Sequence, residues 1–279
     1  MSPIHVERAR ALLAGSGPGA PEWLEPEHAC DLPLARWFSE GRFALEGALP
    51  GVDLIAQPTA GRGKKLFVAD MDSTMITVEC IDELADFAGL KPEVAEITER
   101  AMRGELPFAE ALAARVALLE GLTVEQLDEC RRTRVSLTPG ARTLVRTLRA
   151  RGAHCLLVSG GFTAFAEPVA AELGFNEVVA NVLEVERGRL TGRVVGPIID
   201  GDRKRAELVR ARDALCLSAH EVIALGDGAN DLPMAVEAGL GVAYRAKPVL
   251  AEAADAHLRH PDMSVLLWAL GIPRADWTT

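Results

Sequence analysis

The sequence predicts an α/β protein: a doubly wound parallel sheet with a helical insertion after its first strand and a small α+β segment ahead of it. Three observations carry that prediction. Short apolar runs (Leu66–Ala69, Ala153–Val158, Val222–Leu225) alternate with longer amphipathic ones (Leu144–Ala150, Phe165–Leu173, Glu207–Leu215, Pro233–Ala238), and strands without polar alternation need helices over both faces. Two of the apolar runs end abruptly in acids, Asp70-Met-Asp72 and Asp227-Gly-Ala-Asn230-Asp231, at the carboxyl edge where such sheets bind ligands. Between the first run and the Pro139-Gly140 turn, apolar residues recur only at helical spacing.

In chain order, residues 1–63 are punctuated by Gly15, Gly17, Pro18, Gly19, Pro21, Pro26, Pro33, Pro50 and Gly51 and close on Ala60-Gly-Arg-Gly-Lys-Lys65, which reads as a flexible basic linker. A core of residues 64–76 and 137–279 is then expected, with residues 77–136 as the helical cap. Within the cap, Ile81, Leu84, Ala85 and Ala88 share one helix face. Val94, Ile97 and Ala101 follow Pro92 at a helix start, and Thr123-x-x-Gln126 is a capping box for another helix. Phe108, Leu112, Arg115 and Leu119 share a stripe on the third cap helix, which puts a guanidinium among apolar neighbours. It either snorkels to the edge or binds a ligand. Ser218-x-x-Glu221 also has capping-box form, but Val222–Leu225 is too short for a helix and is expected as a strand.

Composition removes whole classes of function. A chain of 279 residues with 49% hydrophobic content can bury one sizeable core with a smaller attachment. Its net charge of −10 has the wrong sign for a general nucleic-acid or anionic-membrane binder. No apolar run is long enough for a spanning helix or a signal peptide. Cys30, Cys80, Cys130, Cys155 and Cys216 are scattered without metal-ligand spacing, as expected of reduced thiols in the cytoplasm.

The acids at the strand ends define the chemistry. Two carboxylates at positions 70 and 72 repel unless a cation joins them, so they call for a divalent metal. One of such a pair can attack phosphorus while its neighbour moves the proton. An ordinary Asx turn would also place an Asp at a strand end. Ser159-Gly160-Gly161 ends another strand with a hydroxyl and glycine amides that can face an anion. Lys204 opens a cation-rich helix that, taken alone, reads as a solvated face, and Glu79 reads as a first-turn acid of the first cap helix.

In this order the four sites resemble the haloacid dehalogenase superfamily of phosphohydrolases, a Rossmann-like core with a helical cap, and within it the phosphoserine phosphatase family. The matching pieces are Asp70-Met-Asp72-Ser-Thr74, Ser159-Gly-Gly161, Lys204 and Gly226-Asp-Gly-Ala-Asn-Asp231, with Thr77-Val-Glu79 through Arg115-Val116 for the cap. The resemblance covers about Leu66 to Ala269 and implies a role for each matched residue. Asp70 is the nucleophile and Asp72 the acid and base. Mg²⁺ is held by the Asp70 and Asp227 carboxylates and the Asp72 carbonyl, with Asp231 behind them. Ser159, Gly160, Lys204 and Asn230 hold the phosphate. Glu79 pairs with the substrate ammonium and Arg115 with its carboxylate, while Met102 and Phe108 wall the side chain. The implied substrate is phosphoserine, and the implied place in metabolism is the last step of serine biosynthesis. Phosphothreonine or phosphohomoserine, as substrates of a phosphatase or phosphotransferase, are the nearest alternatives, and a non-catalytic sensor of amino acids or phosphate is a further one. A homodimer is compatible with the sequence. The family's longer members carry regulatory αβ modules ahead of the core; residues 1–63 are shorter, so amino-acid sensing is not carried over.

Overall fold

The computed structural model describes residues 1–37, 42–102 and 105–279. Ahead of the sheet, α1 (Pro3–Leu12), β1 (Glu22–Glu25), β2 (Ala29–Asp31) and α2 (Arg42–Ala48) form a small α+β segment in which β1 and β2 pair antiparallel. Leu13 and Leu45 are its buried centre, packed with Leu32, Leu34, Leu54 and Ala56. The basic stretch after it differs from the flexible linker its composition suggests. Arg62 makes two hydrogen bonds to Asp31 (2.6 and 2.8 Å) and donates to the Ala269 and Trp268 carbonyls (2.9 and 3.0 Å). Lys64 donates to the His220 carbonyl and Lys65 pairs with Glu221, each at 2.7 Å. Glycine and lysine composition signals flexibility only when the cations lack partners, and here every one has one.

The core begins with β3 (Leu66–Ala69), and the cap follows it as α3 (Cys80–Phe87), α4 (Lys91–Met102), α5 (Phe108–Ala117) and α6 (Val124–Arg134). The chain then runs through α7 (Ala141–Ala150), β4 (His154–Phe162), α8 (Thr163–Leu173), β5 (Glu177–Glu186), β6 (Arg189–Val195), α9 (Gly201–Ala214), β7 (Val222–Gly226), α10 (Leu232–Glu237), β8 (Leu240–Tyr244), α11 (Pro248–Ala253), β9 (Ala256–Leu258) and α12 (Leu266–Ala269). The sheet order is β6-β5-β4-β3-β7-β8-β9, and only β6 runs antiparallel to its neighbour. β5 through β6, and β8 with β9, extend the sheet beyond the strands the apolar runs marked. Arg187 and Gly188 reverse the chain between β5 and β6 with positive φ of 50° and 76°, the geometry of a two-residue hairpin.

Alternation along β3 sends Phe67 and Ala69 into one apolar layer and Leu66 and Val68 into the other, so helices cover both faces. The chain fills the sheet on one side of β3, then crosses back to start the other side with β7. Ligand crevices open at such reversals. Registry brings Ala69 level with Leu157 of β4 and Leu225 of β7, so the ends of all three strands meet at one edge.

The cap is attached at two places. Thr77 N–H donates to the Ser136 carbonyl and Thr138 N–H to the Met75 carbonyl, both at 3.0 Å, where the chain leaves and re-enters the core. Farther out, the turn between α5 and α6 pairs with the β5–β6 hairpin, Gly121 N–H to Leu190 O at 2.9 Å and Leu190 N–H to Leu122 O at 2.8 Å. The Thr123–Gln126 capping box forms with bonds of 3.0 and 3.1 Å. Ser218 and Glu221 cap a single 3₁₀ turn before β7. Among the described residues no helix is long and apolar enough to cross a membrane.

Candidate active site

Asp70 leaves β3 with its N–H still bonded to the Leu225 carbonyl at 3.0 Å. The chain then turns sharply, with Asp72 extended and Ser73 left-handed at φ 54°. For a residue with a Cβ that conformation costs roughly 1–2 kcal/mol. The Asp70 side chain is turned inward, with Oδ1 accepting from Met71 N–H at 2.7 Å and pairing with Lys204 Nζ at 2.7 Å.

Lys204 is fully buried and bonds Asp231 Oδ1 as well, also at 2.7 Å. Burial opposes its charge, but Asp231 and Asp70 outweigh that and raise its pKa. The helix that carries it starts at Asp200, whose carboxylate accepts from Arg203 N–H at 2.9 Å, an N-cap that fixes the first turn. Asp231 Oδ2 accepts from the N–H groups of Asp227 and Gly228, each at 3.0 Å. A Cβ on Gly226 would stand 2.4 Å from Asp231 Cγ, so glycine is what lets this carboxylate lie under the loop.

One carboxylate oxygen from each of Asp70, Asp227 and Asp231 falls within 4.8 Å of the others. Burial and then Asp231 push the Asp70 carboxyl well above the usual range, against the pull of Lys204, and burial, Asp231 and Glu79 push Asp227 up to about 6. Crowded oxygen donors that resist ionisation fit a hard divalent cation. Both oxygens of Asp231 already hold Lys204 or backbone amides, whereas Asp70 and Asp227 each keep an oxygen that could face a cation. Thr74 Oγ1 steadies Asp227 Oδ1 at 3.4 Å.

Asp72 is half-buried, with Oδ1 sealed and lacking a hydrogen-bond partner among the described residues. Burial, then the nearby Glu79 charge, push its carboxyl up to about 7. Opposite it lies the β4 loop, residues 159–161 near the end of β4: a Cβ on Gly161 would fall 2.8 Å from Asp72 Oδ2. The buried Ser159 Oγ accepts from Gly161 N–H at 2.9 Å.

The cap side is more open. Glu79 precedes α3 and accepts from Ser73 Oγ at 2.7 Å. Phe108, at the start of α5, lies over the β4 loop, because a Cβ on Gly160 would stand 3.5 Å from its Cζ. Arg115 is half-buried and donates from Nε to the Ala111 carbonyl of its own helix at 3.2 Å. Burial lowers its pKa, countered by Asp82 and Glu79, yet none of the described carboxylates lies within 4 Å of the guanidinium. Asn230 is half-buried in the turn after β7, beside Gly228. Met102 ends α4, and its side chain lies outside the described residues. A separate cavity of about 290 Å³ between α6 and α8, lined by Arg131, Val135, Leu137, Val169 and Glu172, contains none of these groups.

The haloacid dehalogenase-like hydrolase family matches residues 67–236, more than half of the chain. A phosphoserine phosphatase from Polaromonas is 50% identical over 208 residues, which cover 73% of this chain and 88% of that protein. The chain belongs to the phosphoserine phosphatase family of the haloacid dehalogenase superfamily. Phosphoserine phosphatase SerB2 of Mycobacterium tuberculosis is 48% identical over 217 residues, covering 78% of this chain but 53% of that protein, so this chain spans about half of that longer relative. Among solved structures, a phospho-aspartyl intermediate analogue of phosphoserine phosphatase is 38% identical with a TM-score of 0.68, over 74% of this chain and 98% of that one. A probable phosphoserine phosphatase from Vibrio cholerae, unliganded, is 32% identical with a TM-score of 0.77, over 99% of this chain and 85% of that one. That second match extends the similarity of shape through the N-terminal α+β segment.

Measured against the phosphoserine phosphatase pattern, the structure gathers Asp70, Asp72, Ser159, Lys204, Asp227 and Asp231 at one sheet edge, with Glu79 and Phe108 above them. Sequence reasoning passed over Asn181, which is buried on β5 and donates from Nδ2 to the Gly160 carbonyl at 2.8 Å. A lone asparagine within an apolar strand, Val178-Val-Ala-Asn181-Val-Leu183, was the available signal.

Proposed function

We propose that this chain hydrolyses O-phospho-L-serine to L-serine and phosphate through an aspartyl-phosphate on Asp70. The observation that carries the proposal is the buried Asp70, just past the end of the sheet's central strand, ion-paired to Lys204 at 2.7 Å and beside Asp227. Asp70 Oδ2 has no partner among the described residues and is the oxygen that attacks phosphorus. As that bond forms, the bond from phosphorus to the seryl oxygen breaks, and Asp72 gives its proton to the departing oxygen. A carboxyl pushed up to about 7 is substantially protonated at neutral pH and can take a proton back. It does so from the water that attacks the aspartyl-phosphate, releasing phosphate and restoring Asp70.

Ser159 and the Gly160 amide bind the phosphoryl oxygens, Lys204 neutralises their charge, and Asn230 borders the same pocket; positioning and charge neutralisation dominate this chemistry. Asp70, Asp227 and the Asp72 carbonyl would hold Mg²⁺, which would supply a positive centre that screens phosphate from the acids. Glu79 receives the ammonium and Arg115 the carboxylate, which a planar guanidinium can grip at two oxygens. Phe108 and Met102 close the pocket over the short side chain. Because serine is the product, the reaction stands last in serine biosynthesis. Free thiols at Cys80, Cys130 and Cys155, all buried, support a reducing, cytoplasmic setting.

The test is phosphate release from phosphoserine, phosphothreonine, phosphohomoserine and small sugar phosphates, each with Mg²⁺ and with excess chelator. Phosphoserine should be preferred, chelation should stop turnover and added Mg²⁺ should restore it. Undiminished activity in chelator would sink the metal assignment, and preference for a sugar phosphate would sink the substrate.

A further inference from the structure

We infer that Asn181 is a positioning residue for the phosphoryl-transfer step: it sets the β4 loop so that the Ser159 hydroxyl has its proton free for the phosphoryl oxygen. The inference rests on the reading of Ser159 as a phosphate ligand. In the ladder between β4 and β5, Val158 pairs with Val179 and Phe162 with Asn181. Residues 159–161 therefore bulge, since three residues of β4 face the one residue of β5 between those pairs. A bulge strips backbone groups of their ladder partners. The Asn181 side chain replaces one of them, donating from Nδ2 to the Gly160 carbonyl at 2.8 Å. Its Oδ1 accepts from Ile199 N–H at 2.9 Å. The orientation of the amide is set by chemistry, because a carbonyl can only accept and an N–H can only donate.

The held carbonyl belongs to the Gly160–Gly161 peptide, whose plane also carries the Gly161 N–H. With the oxygen fixed by Asn181, that N–H points at Ser159 Oγ, 2.9 Å away. A hydroxyl that accepts there still has one proton to give, and it gives it to a different acceptor. The same side chain ties the loop to Ile199, directly ahead of Asp200, the cap of the helix that holds Lys204. One amide, 1% exposed, thus ties the loop to a fixed point of the chain, while Lys204 itself is held by Asp70 and Asp231. Both polar atoms of the Asn181 amide are taken up by backbone partners.

The test is a double-mutant cycle in kcat and KM for phosphoserine. Asn181→Ala should lower kcat about ten- to a hundredfold with KM little changed, as loss of an outer support does. The Mg²⁺ concentration for half-maximal activity should not move, since Asp70 and Asp227 are untouched. In a Ser159→Ala background the same substitution should cost no more than about threefold, because there is no hydroxyl left to orient. Asn181→Leu has nearly the same volume and removes the donor to Gly160 without opening a cavity, so it serves if the alanine variant does not fold, and the same pattern is expected. Full activity in Ser159→Ala would overturn the reading of Ser159 itself. An impaired Ser159→Ala with losses that multiply in the double variant would leave that reading standing and overturn the action of Asn181 through Ser159, as would Asn181 variants with wild-type kcat.

Discussion

The sheet side and the cap side of the site are built to different standards. On the sheet side Asp70, Ser159, Lys204 and Asp231 are at most 4% exposed, and every one is held by a buried hydrogen bond or ion pair. On the cap side Phe108 is 39% exposed, Glu79 has one bond to Ser73, and Arg115 turns its Nε back to its own helix. Groups that stabilise a transition state work best when their orientation is fixed before the substrate arrives. Groups that recognise the ends of a small amino acid gain from staying open until it arrives, since closure then depends on the right ligand. In the proposed reaction the sheet edge then sets the rate and the cap the selectivity.

Substitution on the sheet side should break that contrast most severely. Asp70→Asn removes the proposed nucleophile and a proposed metal ligand, and should cost at least about a thousandfold in turnover on any phosphate ester. Steady-state phosphate release checks the rate, and rapid quenching checks that the phosphoenzyme is lost. A variant near wild-type rate would exclude covalent catalysis by Asp70.

On the cap side the loss should depend on substrate. Arg115→Ala and Glu79→Gln leave a charge on phosphoserine unpaired in a confined pocket, costing on the order of 2–4 kcal/mol in transition-state binding. A small phosphate ester without ammonium or carboxylate should be hydrolysed at a rate much closer to wild type. Equal losses on both esters would mean that these residues support cap closure rather than recognition.

The same asymmetry governs what could be read in the sequence. Asp70 and Asp227 were legible because two separate apolar runs both end in acids, a repetition that a single Asx turn does not explain. Lys204 was not legible from its own neighbourhood: the segment Lys204-Arg-Ala-Glu-Leu-Val-Arg-Ala-Arg212 has the composition of a solvated helix face. Only its two carboxylate partners, 27 and 134 residues away, make burial tolerable, and the family resemblance alone singled it out. Asn181 showed only as a polar residue in an apolar strand, and its role stayed out of reach because both of its partners are backbone atoms on other elements. The β5–β6 hairpin did carry a local signal, Arg187-Gly188 between alternating segments, whereas the grip of Arg62 on Asp31 and α12 lies beyond any local pattern.

A smaller effect should appear in the coupling of metal to pH. Burial holds Asp227 protonated up to about pH 6, so a raised pKa means that protons compete with the cation at mildly acidic pH. Above about pH 6 the Asp227 carboxylate is ionised and its share of the Mg²⁺ requirement should be constant; below it that share should rise by on the order of tenfold per pH unit. Half-saturating Mg²⁺ measured from pH 5 to 8 checks this, and Asp227→Asn should raise the requirement and flatten the slope. A requirement independent of pH would show that Asp227 is not the competing ligand.

The smallest effect should come from the residue that joins the two sides. Ser73 belongs to the catalytic turn, yet its hydroxyl donates to Glu79 of the cap at 2.7 Å, and it holds a left-handed backbone at φ 54°. Ser73→Ala removes the bond and keeps the backbone cost, while Ser73→Gly removes both. A hydrogen bond to a charged group contributes about 1.5–3 kcal/mol when fully realised, and partial exposure of Glu79 should reduce this to a several-fold rise in KM for phosphoserine. Both variants should show that rise, because both release Glu79, and neither should change the Mg²⁺ requirement. They should differ in stability instead, with glycine the more stable by roughly 1 kcal/mol because it adopts positive φ without penalty. Chemical denaturation of the two variants side by side separates the terms: equal stability would mean the turn carries no strain, and an unchanged KM in both would mean Glu79 is placed by α3 alone.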